Sequence, residues 1–171
     1  MGILVIAVGG LALGFGVIIL LSVGAPKQDA AAGASADGSP HAWLARLDPP
    51  DMGKLLGMLF AELKFEVEDT RVTESGVDLF AQNPTPITGG RVYIRGVCHP
   101  PLGVVGEEEV RVALETARAE MVGKALVATG GVFSPEARST AEGAPVELID
   151  GASLMALIKK HLPPVGVAQR V

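Results

Sequence analysis

At 171 residues the chain has room for one domain, and one cysteine with three scattered histidines excludes an intrachain disulfide framework and a cysteine-based zinc site. A formal net charge of −5 excludes a strongly basic chain that holds nucleic acid by charge alone. The hydrophobic content of 49% and mean hydropathy of +0.41 exceed what one soluble domain of this size usually carries, so part of the apolar sequence belongs outside a core.

Residues 3–23 read ILVIAVGGLALGFGVIILLSV, 21 positions without a charge. About 20 apolar residues cross a hydrocarbon core of roughly 30 Å, so this segment predicts a transmembrane anchor. A cleaved signal peptide fits less well: no Lys or Arg precedes the run, the run is longer than the usual apolar region, and only Val23-Gly24-Ala25 resembles a cleavage site. Ile6 stands where a myristoylation motif after Gly2 wants Ser or Thr. Lys27 is the one cation flanking the run, on its C-terminal side, which predicts a single-pass membrane protein with a cytoplasmic domain. Gly10 and Gly14 have the spacing of a helix-dimer contact, the partner being a second copy, although glycine is common in spanning helices for other reasons.

Residues 24–42 read as a flexible linker rich in Ala, Gly, Ser, Asp and Pro. The 17 residues of 24–40 have an r.m.s. span of roughly 20 to 25 Å. The domain occupies residues 43–162, and 163–171 form a C-terminal tail. Within it, Met52, Leu55, Leu56, Met58, Leu59, Phe60 and Leu63 make a broad apolar helix face, entered through Pro49 and Pro50 with Asp48 or Asp51 as cap. Residues 65–69 alternate as a strand, Thr73-Glu74-Ser75-Gly76 reads as a turn, and 77–81 as a second strand. After a Pro- and Gly-rich loop over 83–90, residues 91–98 predict a third strand.

Glu107, Glu108 and Glu109 open an amphipathic helix over 107–121, where the helix dipole favours negative charge on a solvated face, a reading preferred to metal binding by the three carboxylates. Residues 124–129 are an apolar strand bounded by Gly130-Gly131. Ser134 and Pro135 start the next helix, 146–149 is a last strand, and Asp150 caps a final helix to about His161. The order α-β-β-β-α-β-α-β-α implies an α/β fold, a central mixed sheet with helices on both faces.

Over residues 51–161 these pieces resemble the Mrr-like (type IV) restriction endonucleases of the PD-(D/E)XK nuclease superfamily. The matching stretches are Leu63-Lys64-Phe65-Glu66-Val67-Glu68-Asp69-Thr70, Gly76-Val77-Asp78-Leu79, the Asn83-Pro84 to Gly89-Gly90 loop, Ala128-Thr129-Gly130-Gly131-Val132-Phe133-Ser134, and Val146-Glu147-Leu148-Ile149-Asp150-Gly151. The resemblance implies DNA phosphodiester hydrolysis with a divalent metal, Mg2+, bound by an Asp on the second strand. A Glu or Gln on the third strand and a Lys two residues later complete such a centre, because residues two apart on a strand share a face.

Asp78 matches the metal-binding Asp. With Gly89-Gly90 as anchor, the Glu/Gln position falls on Arg95 and the Lys position on Val97. An alternative register, slipped by two residues, places Tyr93 and Arg95 there instead. Neither pair restores a carboxylate or a lysine, so the expectation is a catalytically inactive, membrane-anchored binding or scaffold module with no cofactor; the alternative is an active Mg2+-dependent nuclease using Asp78. From Trp43 to the C-terminus 13 Lys and Arg face 17 Asp and Glu, a balance of −4 that does not support DNA as a partner unless Arg91, Arg95 and Arg111 fold into a patch. Lys159-Lys160 fits the last turn of a helix. Cys98-His99 is a poor nucleophile pair, since neighbours on a strand face opposite ways and Pro100-Pro101 end the strand.

Overall fold

The structure, a computed structural model, describes residues 42–86 and 89–162. The expected anchor at 3–23, the linker up to residue 41 and the tail at 163–171 lie outside the described residues, and among the described ones no helix is long and apolar enough to cross a membrane.

A 3-10 turn over Leu44–Arg46 leads into helix α1, Pro49–Glu62. Asp48 takes the cap position with prolines next to it; its backbone carbonyl, not its side chain, receives the first amides, and Asp51 instead pairs with Lys54 at 2.8 Å. Three strands follow: β1 Glu66–Val72, β2 Gly76–Asn83 and β3 Gly90–Val97. The chain continues through β4 Val104–Val105, α2 Glu107–Ala119, β5 Lys124–Thr129, β6 Val132–Phe133, α3 Pro135–Ala141, β7 Val146–Ile149 and α4 Gly151–His161. Ser134 Oγ accepts from Ala137 N at 3.1 Å and Asp150 Oδ1 from Ser153 N at 2.9 Å, so both predicted caps satisfy a first-turn amide.

The main sheet runs β1-β2-β3-β5-β7, antiparallel across β1, β2 and β3 and parallel across β3, β5 and β7. Alternation along its strands separates two cores. Val77, Leu79, Ile94, Leu126 and Ala128 pack with Met52, Leu55, Leu56 and Leu59 of α1 and Leu154 and Ile158 of α4. On the opposite face Phe80, Tyr93, Val97, Ala125 and Val127 pack with Val110, Ala113, Leu114 and Ala117 of α2 and Ala137 of α3. The fold is therefore a mixed α/β sheet flanked by helices on both faces, in the predicted element order.

Three local features depart from expectation. β4 and β6 form a small parallel sheet of their own, too short to show any periodicity in sequence. Helix α2 ends at Ala119, two residues before the predicted end, because Met121 turns to φ 53° and Val122 N returns to the carbonyl of Ala117 at 2.9 Å. β1 runs Glu66–Val72 where 65–69 was expected, because it is an edge strand, exposed at nearly every position and broken in register between Val67 and Asp69, so its alternation marks no buried face.

α1 crosses directly over Gly96. A Cβ there would come within 2.8 Å of Leu56 Cδ1 and Val77 Cγ1 and 3.0 Å of Met52 Cγ. Gly96→Val is expected to lower unfolding free energy by about 1 to 3 kcal/mol through overpacking. Gly57→Ala, in the same helix with nothing within 4 Å of the new Cβ, should raise it by about 0.5 to 1 kcal/mol. Urea denaturation of the two variants checks both signs.

Candidate functional site

The antiparallel register of β2 on β3 sets Asp78 opposite Arg95, Phe80 opposite Tyr93 and Gly76 opposite Val97. Directly opposed residues share a face, so Asp78, Tyr93, Arg95 and Val97 all point to the side covered by α2. Their environments differ. Val97 is buried in the apolar cluster with Val105 and Phe133, whereas Tyr93 and Arg95 reach the Asp78 carboxylate.

Asp78 Oδ1 accepts from Tyr93 Oη at 2.6 Å and from Arg95 Nη1 at 3.0 Å. Arg95 Nε donates at 2.7 Å to Oε2 of Glu109, in the first turn of α2. One guanidinium, largely buried, thus lies between two carboxylates brought from different elements. Glu109 is the member that sequence reasoning missed. Its two neighbours do what the helix-start pattern predicts: Glu107 and Glu108 each pair with Arg111 at 2.8 Å on the surface. Glu109, two residues from Glu107, turns inward, and the one signal for it was position, on the face of α2 that meets the sheet.

Electrostatics follow from this packing. Burial disfavours charge on Arg95, but hydrogen bonding and attraction from Glu109 outweigh it, and the guanidinium is held protonated above its already high range. The Tyr93 phenol is pushed well above its usual value, first by burial, then by its hydrogen bond to Asp78 and that carboxylate's charge, with Arg95 opposing.

A divalent cation does not fit this arrangement. Asp78 Oδ1 already receives two donors, the space between Asp78 and Glu109 holds a permanent cation, and guanidinium cannot act as a ligand. Among the described residues no group of three His, Cys, Asp or Glu side chains is placed to hold a metal.

The surrounding arginines are also paired. Arg91 Nε donates to Glu68 at 2.8 Å and Arg71 Nε to Asp69 at 2.7 Å, and both guanidinium carbons lie over the Phe80 ring, at 5.1 Å for Arg91 and 4.9 Å for Arg71. Arg91, Arg95 and Arg111 therefore form no open basic patch; each sits against a carboxylate. Lys159 and Lys160 occupy the last turn of α4. Cys98 is buried, its thiol pushed up to about 11 by burial and by the charge of Asp48, and His99 faces Asp48 at 3.8 Å; no thiolate-imidazole pair forms.

The family model of the Mrr catalytic domain, described as a restriction endonuclease, matches residues 44–158. Two solved structures are similar. One is the MspJI restriction endonuclease in complex with a 27-mer oligonucleotide, at 20% identity and TM-score 0.45, over 88% of this chain and 32% of that one. The other is the DNA modification-dependent restriction endonuclease AspBHI, at 16% identity and TM-score 0.48, over 80% of this chain and 40% of that one. The chain thus spans 32% of the length of the first of these structures and 40% of the second. No curated protein matches it.

Arg95→Ala leaves two carboxylates facing each other without their cation, and is expected to cost about 2 to 4 kcal/mol of stability in a denaturant titration. Tyr93 gives a pH signature. Its folded-state value lies above the unfolded one, so its contribution is complete below about pH 10 and is lost as pH rises from there toward the folded value. Melting temperature measured from pH 9 upward should fall more steeply for the parent than for Tyr93→Phe.

Proposed function

This chain belongs to the Mrr-type restriction endonuclease family, and we propose that it is a member which keeps the fold without cutting DNA and serves at a membrane as a binding or scaffold module. One observation carries the loss of cutting: the Arg95 guanidinium bridges Asp78 and Glu109, where the family's chemistry needs a metal-bound carboxylate with a lysine beside it. An arginine at that point is never deprotonated and holds Asp78 in an ion pair. Tyr93, donating to the same carboxylate, fills the Glu/Gln position of the slipped register, with Arg95 in the Lys position. In the other register those positions fall on Arg95 and Val97; neither restores the missing groups. The membrane part of the reading is supported by the 21 uncharged residues of 3–23 and by the linker that follows.

A second reading, an active Mg2+-dependent nuclease, is favoured by Glu109, which supplies a second carboxylate within reach of the same centre. Its chemistry requires Arg95 to leave both carboxylates before a cation can approach Asp78. The acidic balance and the paired arginines speak against an open DNA-binding face, so DNA is the weaker partner for the module.

The purified full chain is expected to leave supercoiled plasmid DNA, methylated or unmethylated, uncut in Mg2+ or Mn2+. Metal-dependent cleavage that disappears in Asp78→Ala would establish the second reading instead. For the anchor, the chain is expected to stay with membranes through alkaline and high-salt washes, since burial of an apolar helix does not depend on screened charge. Release of a shortened soluble form beginning near Pro26 would show a signal peptide.

A further inference from the structure

Three exposed apolar side chains gather on the small β4–β6 sheet. Val104 and Val132 are register partners, and Leu102, two residues before Val104, is wholly exposed at 101%, with Val132 at 50%. Leu102 also adopts a left-handed backbone, φ 55° and ψ 18°, a conformation that a leucine takes only reluctantly. A residue that adds nothing to either core and sits in a disfavoured conformation is poorly explained by the folding of the domain itself.

The domain's first residues arrive at this same end. Gly130 packs so closely on the chain at Leu44 and Ala45 that a Cβ would lie 2.3 Å from the Leu44 carbonyl carbon, and a Cβ on Gly131 would lie 2.2 Å from the Gly103 carbonyl oxygen. Two successive glycines therefore connect the Leu102 turn to the backbone just after Trp43, which is itself 36% exposed. Among the described residues the other exposed large apolar side chains are Val67 and Val72 of β1 and Met121, just past the far end of α2.

We infer that this end of the domain, with Leu102 at its tip and Val104, Val132 and Trp43 around it, docks on the surface of the lipid bilayer. The inference rests on the membrane-anchor reading. The 17 residues of 24–40 in the linker span roughly 20 to 25 Å, which keeps the domain beside the bilayer, and the linker joins it at the end that carries the apolar residues. Tryptophan suits the interfacial layer, and a leucine at the tip of a turn has a place to be buried there. The charges around this end are mixed, exposed Asp48 beside Arg46 and Glu107 and Glu108 each paired with Arg111, so the patch has no net basic charge and its contact with lipid is apolar, for which a zwitterionic surface suffices.

The test uses the full chain reconstituted in phosphatidylcholine vesicles, with an environment-sensitive NBD label on Leu102→Cys or, separately, on Met121→Cys; the native thiol is buried. At position 102 the emission is expected to shift to shorter wavelength and to be quenched by nitroxide-labelled lipid, whereas at 121 it stays water-like and unquenched. Water-like emission at both positions in chain that floats with the vesicles would overturn the docking and leave the anchor standing. A shift at 102 without lipid quenching would also overturn it, by showing a protein surface as the cover. Failure of the chain to float would overturn the anchor and the docking together.

Discussion

A guanidinium that lies between two carboxylates under a helix sets the character of this domain. Charges taken out of water must be paired, and here the pairing joins three elements: Asp78 from β2, Arg95 from β3 and Glu109 from α2. The register of the β2–β3 pair makes the first contact unavoidable, because opposed residues meet on one face. Glu109 then ties the first turn of α2 to the sheet above an otherwise apolar cluster. With Tyr93 donating to the same Asp78 oxygen, the polar part of this face is satisfied internally, and no buried side-chain polar atom among the described residues lacks a partner.

Much of the fold was legible because it depends on patterns with a physical period. The α1 face, the caps at Ser134 and Asp150 and the alternation along β2 and β3 all correspond to groups that must be buried or satisfied. The small β4–β6 sheet was not legible, since two residues have no period. Asp78 could be found from the stretch around it. The inward turn of Glu109 could not, because acidic residues in a first helical turn have a common and sufficient explanation in the helix dipole, and two of the three here obey it. Nor could a double glycine choose between two registers of β3 that present the same face; the structure shows which side chains reach Asp78, and they are Tyr93 and Arg95.

The same pairing bears on what the domain can hold. Arginines that would make a basic surface are matched by carboxylates, Arg91 by Glu68 and Glu120, Arg71 by Asp69 and Arg111 by Glu107 and Glu108. Exposed pairs of this kind add little stability, but they cancel the field that would gather a polyanion. Membership of a nuclease family fixes the scaffold and leaves the chemistry to the particular side chains on it, a separation of fold from chemistry that is common among widely used scaffolds.

Arg95 supplies, between Asp78 and Glu109, the positive charge that a divalent cation would otherwise bring. Titrating Mn2+ into the full chain and following the free-ion signal by electron paramagnetic resonance measures this directly. The parent is expected to capture no Mn2+ at a site that depends on Asp78, and Asp78→Asn is expected to give the same curve. Stoichiometric capture by the parent, abolished in Asp78→Asn, would contradict it.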